Sequence, residues 1–213
     1  MKKIYKNVII GKNAQIGEFV VIGKPPKGYQ DGELKTKIGD NCVIRSHTVI
    51  YAGNKIEANF QTGHGVNIRE CNEIGDNVSI GTHSIIEHHV QIEDNVRIHS
   101  NVFIPEYSYL KEGCWIGPCV TLTNVLHPLC PKAKECVKGA TIGKNTKIGA
   151  NTTILPDITI GKNCLVGAGS LVTKNLIDDN YIYAGVPVKR IKHIRDLTCP
   201  YNLMDRPYEV EEK

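Results

Sequence analysis

Residues 74–104 read IGDNVSIGTHSIIEHHVQIEDNVRIHSNVFI. Isoleucine stands at 74, 80, 86, 92, 98 and 104, a spacing of six that never slips. Val78, Ser84, Val90, Val96 and Val102 keep the same period four residues behind. An amphipathic α-helix repeats its apolar face about every 3.6 residues and a half-buried strand every 2. A period of six fits neither, but it does fit a short strand followed by a turn. The turn is written into the IGDN unit at 74–77, because Gly and Asn accept the tight backbone that such a corner needs.

The phase continues in both directions. It runs through Ile38, Ile44, Ile50, Ile56, Thr62 and Ile68 before this stretch, and Leu110, Ile116 and Leu122 after it. Ile4, Ile10, Ile16 and Ile22 carry it earlier, and Ile142, Ile148, Ile154, Ile160, Val166 and Val172 later. Stacked units of this kind predict an all-β fold, a parallel β-helix in which each coil buries its aliphatics against its neighbours. Two segments break the phase and are expected to be loop insertions, 24–37 (KPPKGYQDGELKTK) and 128–141 (PLCPKAKECVKGAT). The β-helix domain is expected over 1–187. Residues 188–213 read as a short basic cap with helical potential, shielding the last coil's open edge.

Composition narrows the function classes. Only 6% of the 213 residues are aromatic, so the core is aliphatic, and the formal charge of +4 is spread among interleaved acids and bases. No Lys/Arg block argues for nucleic acid; the surplus suits a small anionic ligand. The opening MKKIYKNVIIG holds too short an apolar run for a signal peptide, and nothing approaches the length of a membrane span. A cytoplasmic protein without a membrane partner is expected, with its 8 Cys reduced. Cys42, Cys114 and Cys164 fall at the small inward position. Cys130 and Cys136 could bind zinc together with His127, but C-x5-C is not a zinc-finger spacing, so structural thiols are the favoured reading.

Residues 116–128 read IGPCVTLTNVLHP, and 160–194 read IGKNCLVGAGSLVTKNLIDDNYIYAGVPVKRIKHI. With the repeat, these resemble the hexapeptide-repeat acyltransferases, in the branch of the galactoside and maltose O-acetyltransferases. The TN at 123–124 also resembles a motif of the nucleotide-sugar N-acetyltransferases. The resemblance implies a left-handed coil of three hexads and a homotrimer with active sites between subunits. It also implies acetyl-CoA or another acyl-CoA as co-substrate, with no metal required. It puts a catalytic base at His127 and an acceptor-site amide at Asn124. Gly149, Ala150, Gly167, Ala168 and Ser170 would lie along the pantetheine arm, while Lys174, Lys189 and Arg190 receive phosphates.

Imidazole is suited to take a nucleophile's proton near neutral pH, although His127-Pro128 also reads simply as a turn into the loop. Stacking at 18 residues aligns Glu70, His88, Glu106 and Asn124, with His64 and His83 in companion columns. Glu70, His88, Glu106, His64 and His83 are acceptor-site candidates, or else hydrogen-bonding groups of a subunit interface. His64, His83 and His88 also raise a rival, the three-histidine metal site of the γ-class carbonic anhydrases. A non-catalytic scaffold is a third class. The expected activity is transfer of an acetyl or short acyl group onto an amino group of a nucleotide-linked amino-deoxysugar, with sugar O-acetylation as the runner-up.

Overall fold

The structure, a computed structural model that describes residues 1–208, is a left-handed parallel β-helix. Its strands, mostly two residues long, line up in three sheets of nine, eight and ten strands, here sheets A, B and C. Each coil visits A, then B, then C, which leaves three edges: A/B, B/C and C/A. Parallel register pairs residues 18 apart, as Ile68 sits between Ile50 and Ile86. The separation grows at two places, Ile10 with Ile38 and Leu110 with Ile142. There the chain leaves the coil between Val21–Lys24 and Thr36–Ile38, and again between Thr121–Leu122 and Thr141–Ile142.

The aliphatic column fills the interior: Ile50, Ile68, Ile86 and Ile104 are each 0% exposed. The second inward position holds valines together with Cys42, Cys114 and Cys164, all fully buried. Burial drives the last two thiols upward in pKa, Cys114 to about 12, so they are inert core groups. Cys130 and Cys136 instead lie exposed on the late loop.

Corners turn through the left-handed backbone region, which costs an L-residue roughly 1–2 kcal/mol and which Asn and Gly tolerate best. Along the B/C edge the chain obeys this rule: Asn41, Asn59, Asn77, Asn95, Gly113, Asn145 and Asn163 all have φ between 53° and 67°. Their side chains form a ladder, each amide donating to the next coil at 3.0–3.3 Å from Asn41 to Asn95. The other two edges mix Asn and Gly, such as Asn101, Asn151, Gly65 and Gly53, with other residues. His47, His83 and Cys119 adopt the same conformation on C/A, and Cys71, His89 and Tyr107 on A/B.

The cap differs from the helical expectation. Tyr181–Gly185 extends sheet C and pairs antiparallel with Val188–His193, and the only helix of 188–208 is the 3-10 turn Ile194–Asp196. The open edge is thus closed by strand pairing. The proposed boundary at 187/188 falls inside this hairpin, and the remainder of the predicted cap, 209–213, lies outside the described residues.

Candidate active site

Four groups meet on the A/B edge, each two places after a buried aliphatic of sheet A. Asn124 donates its amide N–H to Glu106, and the other oxygen of Glu106 lies 3.6 Å from His88 Nε2. His88 Nδ1 lies 2.9 Å from Nδ1 of His89, and the two rings meet edge to face at 5.0 Å. Tyr107 closes the aromatic group, its ring 5.9 Å from His88. Below them Glu70 accepts two bonds from Arg69, both at 2.9 Å, and Arg69 reaches Glu87 at 3.4 Å.

Three carboxylates therefore face one guanidinium and one imidazole. Burial pushes the Glu87 carboxyl upward, and Glu106 and Glu70 add to that against the opposing pull of Arg69. Burial would raise Glu70 as well, but its bonds from Arg69 and the nearby His88 hold it below the ordinary range. The edge is acidic and its charge is only partly neutralised, an arrangement that favours a cationic guest.

His127 rises from the same edge on the loop between sheets A and B. Lys138 N–H donates to Asn124 O at 3.0 Å and closes the loop's base, while Cys130 N–H bonds to His127 O at 3.2 Å. The His127 ring is exposed and has no hydrogen-bond partner among the described residues. Leu126 and Leu129 on this loop are 60% and 99% exposed, apolar surface that the chain itself does not cover.

Farther along the same edge, Lys174 stands two coils beyond Asn124, about 10 Å at the usual strand spacing. It borders a cavity of 300 Å³ with Lys189, Arg190, Asp178 and Tyr183. Arg190 pairs with Asp178 at 2.9 Å.

The remaining candidates lie elsewhere. His64 and His83 are on the C/A edge with Gly149, Ala150, Gly167 and Ala168, so they do not join Glu70 and His88 within one chain. His64 Nδ1 bonds Ser46 Oγ at 2.7 Å. Gly149 is dictated by stacking, because a Cβ there would lie 2.4 Å from Ala168 N. At Gly169, by contrast, nothing stands within 4 Å and the backbone is open. Ser170 does not face a ligand. It is 2% exposed, donating to Gly167 O at 2.6 Å and accepting from Gly185 N–H at 3.2 Å.

Arg69, Glu87, His89 and Tyr107 escaped the sequence reading. A signal for two of them existed: Arg69 and Glu87 are opposite charges 18 residues apart, at the same place in neighbouring coils.

Residues 73–106 and 139–174 match the family described as bacterial transferase hexapeptide (six repeats). Both matched stretches lie within the coils of the β-helix. Among curated proteins, the galactoside O-acetyltransferase of Escherichia coli K12 is 35% identical over 106 residues. That match covers 48% of this chain and 51% of the relative, so the chain spans about half the length of the curated hexapeptide protein it resembles. Among solved structures, a Bacillus cereus protein provisionally named an acetyltransferase superposes with a TM-score of 0.55 at 21% identity, covering 85% of this chain and 84% of the other. A galactoside acetyltransferase in complex with coenzyme A is 28% identical, with a TM-score of 0.44 and coverage of 78% and 74%. No helix among the described residues is long and apolar enough to cross a membrane.

Proposed function

We propose that the chain is an acyl-CoA-dependent acyltransferase acting on an amino group of a nucleotide-linked amino-deoxysugar. The observation that carries this reading is the A/B edge itself. There an acidic Glu106–His88 pair, anchored by Asn124, lies beneath the loop of His127 and about two coils from a cavity holding three basic side chains. The carboxylates suit an acceptor that arrives as an ammonium ion, and the basic cavity suits the phosphates of coenzyme A. The hexapeptide match and the acetyltransferase name of the curated relative support the reaction class.

In this reading the ammonium is drawn to Glu106 and Glu70 and gives its first proton to solvent water, which leaves the amine free to attack the thioester carbonyl. His127 takes the second proton as the new C–N bond forms. Asn124 holds Glu106 in place and fixes the acceptor's position, and positioning supplies much of the rate. The C–S bond then breaks, and the thiol leaves with a proton returned from His127.

The loop edge and the glycine edge lie on opposite borders of sheet A, so one chain does not bring them together. A homotrimer joins them by presenting a neighbour's C/A edge to the His127 loop. The half-exposed Leu126, the bare Leu129 and outward Ile85, 37% exposed, give that neighbour an apolar landing.

Thiol release measured against a panel of dTDP- and UDP-linked amino sugars tests the proposal. Turnover with at least one amino sugar, and its loss of about 10²–10⁴-fold in His127→Ala with fold and assembly intact, is expected. Parent-like turnover in that variant removes His127 as the base. Sugar O-acetylation is the second reading, favoured by the name of the curated relative; turnover of plain hexosides but of no amino sugar would establish it.

A further inference from the structure

Sheet C carries a second recess that none of the steps above uses. Its C/A border presents a vertical run of Arg45, Gly63, Gly81 and His99, one residue per coil and below Gly149 and Gly167 in the same column, with Arg97 alongside. A Cβ on Gly63 would lie 2.3 Å from Thr82 N, and one on Gly81 2.4 Å from the carbonyl carbon of His99. No side chain can fill the two middle coils, and a groove of 340 Å³ opens between Arg45 below and His99 above.

The charges in this groove are unbalanced. Among the described residues neither Arg45 nor Arg97 has a carboxylate within 4.0 Å. Arg69, by contrast, holds two and Arg190 one. One Nη of Arg45 is fixed by a 2.6 Å bond to Thr62 O, which steadies the fork and leaves its other donors available. The buried Nε2 of His99 has no partner, although buried polar atoms nearly always find one. Burial, helped by Arg97, lowers the pKa of this imidazole. Ser79, Thr82 and Ser100 add hydroxyls to the wall.

Two guanidiniums and three hydroxyls around a small groove define a host for a compact polyanion. Guanidinium forks match phosphate oxygens in pairs, and the volume lies at the small end of ligand pockets, about 300–1,000 Å³. We propose that this groove binds a diphosphate group, either free or as part of a nucleoside diphosphate. The site does not depend on acyl transfer, and its occupancy can be read without turnover.

The reporter is built in. Trp115 is the single tryptophan, pairs in register with Arg97, and meets the His99 ring at a tilt of 57° with centroids 4.6 Å apart. Titrating the full-length protein with inorganic pyrophosphate, and separately with uridine diphosphate, should change Trp115 emission to saturation. Arg97→Ala and Arg45→Ala should each raise the half-saturating concentration about tenfold or more. Tighter binding of uridine diphosphate than of pyrophosphate assigns the site to a nucleotide, and equal binding to the bare diphosphate.

Emission unmoved by millimolar amounts of both probes, or moved equally in both arginine variants, overturns the proposal. So does a third result. If Arg97→Glu splits the assembly by native mass and added Glu87→Arg restores it, the arginines belong to a contact between copies.

Discussion

Replacing Arg69 with methionine isolates the charge at the centre of the acidic edge while keeping most of the apolar stem. Arg69 supplies two 2.9 Å bonds to Glu70 and a 3.4 Å contact to Glu87, whose side chains are only 14% and 20% exposed. Stripping the partner from a fully buried pair costs about 3–5 kcal/mol, and from a surface pair about 0–1. Arg69 is itself 32% exposed, so an intermediate loss of about 2 kcal/mol is expected at pH 7. For a chain of this size that lowers Tm by about 4–8 °C. The loss must depend on pH in a definite direction. The Glu70 carboxyl is held down in the folded state, so its stabilisation is present above the ordinary carboxylate range and fades as pH falls through the folded pKa. Glu87 is raised, so its ionisation in the folded state opposes stability as pH climbs, and more strongly once Arg69 is gone. The gap between parent and variant should therefore be widest near pH 7 and close only as pH falls below the ordinary carboxylate range, as followed by circular dichroism melts from neutral to strongly acidic pH. A gap that stays constant with pH would refute the electrostatic account and point to lost packing of the guanidinium over Tyr51, 5.0 Å away.

Three further outcomes follow from other parts of the molecule. Lys174→Ala should raise the KM for acyl-CoA about tenfold and leave kcat near the parent value, as initial-rate kinetics will show. Ile86→Ala, at a site 0% exposed between Ile68 and Ile104, should cost about 2–5 kcal/mol in urea unfolding. Asn77→Ala should destabilise by about 1 kcal/mol or more because it keeps φ at 57° and breaks the ladder, whereas Asn77→Gly should cost less by relieving the backbone; paired melts measure the difference.

The coil was legible because the same choice is made at every turn, so one exception such as Thr62 does not hide the phase. The edge column was legible for the same reason, since 18 residues bring Glu106 under Asn124 whatever the side chains are. Contacts that depend on rotamers were not. Nothing in the residue order says that Arg69 folds back on its own neighbour Glu70, or that His88 meets His89. The cap misled for a local reason. Val188, Ile191 and Ile194 are three apart, like one helix face, but a bulge opposite Ile182 and Tyr183 throws Ile191 out to 58% exposure while Val188 and Ile194 stay buried. Ser170 is a different lesson. Resemblance assigned it to the cofactor, yet it stands four places after Val166, at the inward phase, and the repeat itself already pointed it into the core.

The asparagine edge has one more consequence. Because one edge meets the conformational demands of its corners with asparagine at all but Gly113, the molecule works as a ruler with a graduation at each coil, about 4.8 Å apart. Distances between ligand-facing groups are set in whole graduations and not by loop geometry. Deleting or duplicating an 18-residue segment between Asn77 and Asn95 would shift everything beyond it by one mark and preserve every facing. Reach along the axis is thus a heritable integer, adjustable without redesigning any site.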